Sequence, residues 1–312
     1  MTEKMATRDA YGKALVKLGK ENQNIVVLDA DLSKSTKTAN FQEKFPERFF
    51  NMGIAEQNLM GTAAGFAAAG KIPFASSFAI FATGRAFEII RNSICYPKLN
   101  VKIAATHAGL SVGEDGATHQ AIEDLSIMRS LPNMTVLCPA DGVETQAAVE
   151  AAASYCGPVY IRLGRAAVPT LFDKNYKFEI GKAVPMAQGK DATIIAVGMM
   201  VSEAIKAKEI LQTEGILVGV LNMPTIKPID KEAIIQAAKE TGAIVTVEEH
   251  SIIGGLGSAV AEVLVEHQLV PLERVGVMDT FGESGKPDEL LKKYGLTAEN
   301  IVQKVKKAIN RK

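Results

Sequence analysis

Val101-Lys102-Ile103-Ala104-Ala105, then Gly113-Glu114-Asp115-Gly116-Ala117-Thr118-His119-Gln120, then a helix-like stretch from Ala121 to Arg129 form the segment that decides the fold. The apolar run reads as a buried strand. A strand, a polar loop and a helix in succession is where open α/β sheets hold their ligands. The loop crowds two carboxylates, a hydroxyl, an imidazole and an amide around glycines that permit sharp backbone turns. A solvated turn favours the same residue types, so this loop alone leaves both readings open.

Outward from it the pattern repeats. Ile25 to Leu28, Met134 to Cys138 and Val159 to Leu163 read as strands. Asn58 to Ala69, Phe87 to Cys95 and Glu144 to Ala153 read as helices. From Ala166 to Gly189, prolines 169 and 185 and scattered charges break the pattern, which marks an interdomain connection. A second series follows, with strands over Ala192–Val197, Leu217–Leu221 and Ala243–Val247. Its helices are Val201–Gln212, Lys231–Glu240 and Leu256–Glu266. Alternation at this spacing predicts two consecutive α/β domains with mostly parallel sheets and helices on both faces. The expected division is 1–170, a linker over 171–190, and 191–312.

A length of 312 residues suits two such domains. Lys+Arg and Asp+Glu are both 35, so the net charge is zero, which argues against nucleic acid as a principal partner. Apolar runs stay short of membrane-spanning length, so no membrane partner is expected. Met1 to Lys20 is charged and lacks an apolar signal core. Cys95, Cys138 and Cys156 are odd in number and widely spaced, as small buried residues of a reducing compartment are. A cytoplasmic location is expected.

Several motifs carry less than they suggest. Gly254-Gly255-Leu256-Gly257 opens a helix after a strand, but its spacing does not complete a dinucleotide fingerprint. Close strand-to-helix packing explains it better. His250 and His267 read as structural or solvated. Asn51-Met52-Gly53-Ile54-Ala55-Glu56-Gln57-Asn58 places a carboxylate at the start of a helix made of small residues. Glu56 is a surface cap by default and functional if buried. Phe74 to Phe81 is dense in aromatics for a chain with 6% aromatic residues, which suits either a core or a platform for a flat ring.

Met52–Asn58, Phe78–Phe81, Thr106-His107, Gly113–Gln120, Ser130-Leu131-Pro132-Asn133 and Pro139-Ala140-Asp141 stand in an order and spacing similar to the thiamine-diphosphate enzymes of the transketolase group. The resemblance spans essentially the whole chain and implies a pyrimidine-binding domain followed by a transketolase C-terminal domain. It implies that Glu56 hydrogen-bonds a pyrimidine nitrogen of thiamine diphosphate from a dry, apolar niche. Phe81 would stack on that ring, Phe78 flank it, and Asp31 lie near the cofactor. His107 and His119 would line the substrate channel, and Asp115 would read a substrate hydroxyl. Arg8, Ser35 and Arg165 match positions that hold a sugar phosphate. The implied reaction is reversible transfer of a two-carbon ketol unit from a ketose phosphate to an aldose phosphate.

The sequence departs from the family at Ala117, at Ala55 and Gln57, and at Gly84, where an aromatic often completes the pyrimidine pocket. It also contains no Gly-Asp-Gly, the motif that holds magnesium and the diphosphate in full-length members. The resemblance is therefore to the C-terminal subunit of a split transketolase. An N-terminal subunit would supply the Mg2+ ligands, and self-association through the pyrimidine domain would give a heterotetramer. No metal ligand is assigned to this chain. Alternatives are a deoxyxylulose-phosphate-synthase-like activity, a 2-oxo-acid dehydrogenase beta subunit, or a non-catalytic regulatory subunit.

Overall fold

The computed structural model describes residues 3–312; Met1 and Thr2, which begin the charged opening stretch, lie outside the described residues. Strands in chain order are β1 (Lys4–Ala6), β2 (Ile25–Asp29), β3 (Phe49–Asn51), β4 (Ile72–Phe78), β5 (Lys102–Thr106), β6 (Thr135–Leu137) and β7 (Val159–Arg162). They continue as β8 (Ala167–Pro169), β9 (Val184–Ala187), β10 (Ala192–Ala196), β11 (Val218–Asn222), β12 (Thr225–Lys227), β13 (Ile244–Ser251) and β14 (Leu272–Val277). The first large sheet has the order β12-β6-β7-β5-β4-β2-β3 and the second β14-β13-β10-β11-β9. Within these two sheets pairing is parallel except where β12 joins β6 and β9 joins β11.

Burial on both faces explains the uninterrupted apolar runs. Val26 and Leu28 of β2 pack into one layer with Leu59, Met60 and Ala63. Ile25 and Val27 point the other way, onto Tyr11, Leu15 and Leu18. Alternation along one strand thus feeds two helical layers. The architecture is the expected α/β pair.

The differences have local causes. The helix after the polar loop begins at Asp124 rather than Ala121. The Ala121 carbonyl accepts from Gly109 N at 2.8 Å and from Arg162 Nη2 at 3.2 Å, so it is committed to tertiary partners. The Phe87–Cys95 stretch is only partly α-helical; wide turns occupy Phe81–Arg85 and Ile90–Cys95. In the first of these the Thr83 hydroxyl donates to the Ala79 carbonyl at 2.7 Å, competing with the backbone for that acceptor. The connecting stretch is not structureless. Its β8 pairs with β1, and its β9 edges the second sheet. β12 returns from the second series to edge the first sheet. Cys95 and Cys138 are buried as expected, but Cys156 is exposed.

Candidate active site

The polar loops leave the carboxyl ends of β2, β4, β5 and β7, on one edge of the first sheet. This is where parallel sheets expose loop backbone and side chains to a ligand. Glu56 is the first residue of the Glu56–Ala68 helix and is 4% exposed. Its niche is not apolar, contrary to expectation. Arg85 Nη1 donates to Glu56 Oε1 at 3.1 Å, and the Arg85 guanidinium lies 4.1 Å from the centre of the Phe81 ring. An open recess of about 470 Å³ is lined by Ile54, Ala55, Glu56, Gln57, Asn58 and Arg85.

Phe78 and Phe81 lie nearly parallel, with ring centres 6.0 Å apart. Phe78 also stacks on His107 at 3.8 Å, and His119 meets Phe81 edge-on at 5.2 Å. The four rings form one wall. His107 follows β5 with a left-handed backbone (φ 59°), which turns its ring back over Phe78. Arg8 Nη1 donates to His107 Nε2 at 3.1 Å, so this nitrogen is an acceptor. The proton therefore sits on Nδ1, which donates to Thr106 Oγ1 at 2.9 Å.

Next to this wall stands a cationic rim. Arg8, near the start of the Thr7–Glu21 helix, also donates to the Ser35 carbonyl at 3.0 Å. Ser35 meets Arg8 through its backbone. Arg165 donates to the Val112 carbonyl and to Glu114 Oε2 at 3.4 Å, and lies 3.9 Å from Asp115 Oδ2. Asp115 thus stands beside Arg165 on the exposed side of the loop. Asp31 belongs to a different contact set: it is exposed, has φ 61°, and accepts from Asn51 Nδ2 at 2.9 Å.

Residues distant in sequence hold these loops in place. Asp29 accepts from Leu32 N at 2.6 Å, Thr36 Oγ1 at 2.6 Å and Thr38 Oγ1 at 2.8 Å, shaping the loop that carries Asp31 and Ser35. Gly109, at φ 82°, lets the Glu249 carboxylate lie where a Cβ would stand and accept from Ser111 N at 2.5 Å. Behind the Gly113 loop, Gln120 Nε2 donates to the Glu283 carbonyl at 2.9 Å. Gly116 leaves room for Ser284. Nothing in the sequence patterning pointed to Arg85, Asp29 or Glu249.

The secondary candidates are structural. His250 is fully buried, accepting from Ser126 N at 3.4 Å and donating from Nδ1 to the Ser251 carbonyl at 2.7 Å. The glycine cluster brings a helix close to β13, and the group at that helix start is the chain's own Glu248 carboxyl, which accepts from Leu256 N at 2.7 Å and Gly257 N at 2.8 Å. His267 is half exposed beside Glu266.

Burial pushes the His107 pKa down to about 3, reinforced by Arg8, Arg165, His119 and Lys37. Burial likewise pushes His250 down to about 4. Both bind a proton more readily in the unfolded chain, so their contribution to stability is full above about pH 6.5 and is lost as the pH falls towards about 4 for His250 and about 3 for His107. Glu144 and Glu248, raised to about 7 by burial, act in the opposite sense between about pH 7 and 4.5. The histidine effect is therefore read as a difference. His250→Gln is expected to lose about 3 kcal/mol less stability than the parent chain between pH 6.5 and 4, measured by denaturant titration at each pH. Parallel pH profiles would refute it.

Comparison with known proteins agrees with this geometry. The family described as transketolase, pyrimidine binding domain, matches residues 3–170, and transketolase, C-terminal domain, matches residues 181–301. The chain is similar to a solved split gene transketolase, an inactive beta4 tetramer, at 60% identity and a TM-score of 0.92, covering 99% of this chain and 100% of that one. It is 45% identical over 305 residues to the 6-deoxy-6-sulfo-D-fructose transketolase subunit SqwH of Clostridium sp. (strain MSTE9), covering 98% of this chain and 95% of that protein. It is 42% identical over 308 residues to Rattus norvegicus transketolase, covering 97% of this chain and 49% of that protein. Two family domains in register over nearly the whole chain, with relatives at these identities, establish that the protein belongs to the transketolase family.

Proposed function

We propose that this chain is the C-terminal subunit of a split transketolase, acting with thiamine diphosphate to move a two-carbon ketol unit between sugar phosphates. The observation that carries the reading is the continuity of the buried Glu56 carboxylate, the Phe81–Phe78–His107 wall and the Arg8/Arg165 rim on one sheet edge. These residues fit the cofactor's pyrimidine end: Phe81 is a flat apolar face, and Glu56 is a buried acceptor opening on a recess. When bound, thiamine diphosphate supplies a stabilised carbanion equivalent, chemistry that protein side chains lack.

The chain's own residues bind and orient. His107, held neutral by burial, and His119 contact substrate oxygens, and Asp115 reads the hydroxyl beside the ketose carbonyl. Arg8 and Arg165 receive phosphate, with Ser35 beside them; an arginine fork matches phosphate oxygens in pairs. Asp31 serves at the cofactor rim.

We assign residues 1–170 to the pyrimidine domain, 171–190 to the linker and 191–312 to the C-terminal domain. The diphosphate and Mg2+ are assigned to a separate N-terminal subunit, in keeping with the relative described as a subunit and with the 49% share of the rat enzyme. The Gly61 and Gly65 side of the small-residue helix is open on this chain and offers a close-packing face near the junction with the N-terminal subunit, and self-association of two pyrimidine domains with two such partners gives a heterotetramer. The buried thiols of Cys95 and Cys138 suit the cytoplasm.

The test is a pair of assays on the chain reconstituted with its N-terminal subunit, thiamine diphosphate and magnesium. Turnover with xylulose phosphate plus ribose phosphate, and none by the isolated chain, is expected. Turnover with pyruvate plus glyceraldehyde phosphate alone would replace this reading with the synthase one. Absence of both would leave a non-catalytic subunit.

A further inference from the structure

Arg85 makes both of the contacts assigned above to the cofactor's pyrimidine. Its planar guanidinium lies over Phe81 with Cζ 4.1 Å from the ring centre, and its Nη1 donates to Glu56 at 3.1 Å. An aminopyrimidine offers a protein the same pair of features, a flat face and an N–H edge. A guanidinium is the side chain that copies them most closely, being planar, cationic and rich in donors.

Arg85 is placed so that it can leave. Its side chain is 52% exposed, whereas that of Glu56 is 5% exposed. Gln57 Nε2 holds the Arg85 backbone carbonyl at 3.3 Å, so release requires rotation of the side chain and not movement of the helix. The recess it borders is open to solvent and has room for the displaced group. Glu56 is never left buried without a partner: it passes from guanidinium to ring.

We propose that Arg85 is an affinity-determining residue of the pyrimidine subsite, a stand-in that occupies Phe81 and Glu56 until the ring displaces it. The inference rests on the thiamine diphosphate reading above. Every binding event then carries the cost of removing Arg85, so the apparent affinity is reduced by the fraction of chains in which the stand-in is seated.

The experiment is calorimetric titration of thiamine diphosphate with magnesium into the chain reconstituted with its N-terminal subunit, alongside thermal melts of the chain with and without cofactor. Arg85→Met and Arg85→Ala are expected to tighten binding by about tenfold. They are also expected to lower the melting temperature of the ligand-free chain, with the gap closing at saturating cofactor. Arg85→Lys keeps the charge but not the plane and should fall between. Unchanged or weaker binding in the methionine and alanine variants overturns the stand-in role, since Arg85 would then belong to the bound site or to neither state. Glu56→Gln separates the two readings. If it loses binding while the Arg85 variants match the parent, only the stand-in role fails. If the parent protein shows no binding, both fail.

Discussion

Arg162→Ala is expected to destabilise the chain by about 3–5 kcal/mol, the cost of leaving a buried carboxylate without its counter-ion. Arg162 ends β7 in the core of the site edge, 6% exposed, and its Nε donates to Asp124 at 2.9 and 3.2 Å. Asp124 is fully buried and has Tyr160 as its other partner, at 2.7 Å, so removing the guanidinium strands a charge that water cannot reach. The same guanidinium reaches the Ala121 carbonyl at 3.2 Å and the Glu249 carbonyl at 2.9 Å. It therefore joins the end of the Gly113–Gln120 loop to the second sheet, and its loss loosens both. Denaturant unfolding measures the loss directly. Arg162→Ala paired with Asp124→Leu should recover much of it, because two apolar groups leave no stranded charge. A single variant within 1 kcal/mol of the parent chain would show that the network is dispensable.

Glu56→Gln is expected to lower turnover of the reconstituted enzyme on the order of 10²–10⁴-fold, because in the proposed site its carboxylate shares a proton with the pyrimidine nitrogen it bonds. Glutamine keeps the size and one acceptor oxygen but carries no charge. Stability should change little, because the half-exposed Arg85 can turn to water when its partner is neutral. Glu56→Asp tests position rather than charge, since it withdraws the carboxylate by one methylene. Full turnover by the glutamine variant would remove Glu56 from the chemistry and revive the regulatory-subunit alternative.

The fold was legible in the chain to the extent that burial leaves a local trace. β2, β5, β7 and β10 are buried at every residue, so their apolar runs survive reading in one dimension. β12 is three residues long and is defined by its antiparallel place on β6, far earlier in the chain, and no local pattern announces it. Phe78, Phe81, His107 and His119 were legible as site candidates through family spacing, and the structure brings their rings together. Arg85 was not. Its reach to Glu56 depends on the wide turn at Phe81–Arg85, which no periodicity encodes.

The Gly113–Gln120 loop shows the same division. Local chemistry determined that a flexible polar loop leaves a buried parallel strand at the edge where ligands bind, because glycine freedom and strand burial are properties of neighbouring residues. Only the tertiary structure decided which contacts hold the loop in place. Gln120 reaches the Glu283 carbonyl, Gly116 fits against Ser284, and Glu249 fastens Ser111 across 138 positions of sequence. Hydrogen bonds and close packing act over ångströms in space, so the partners that fix a site can lie anywhere along the chain.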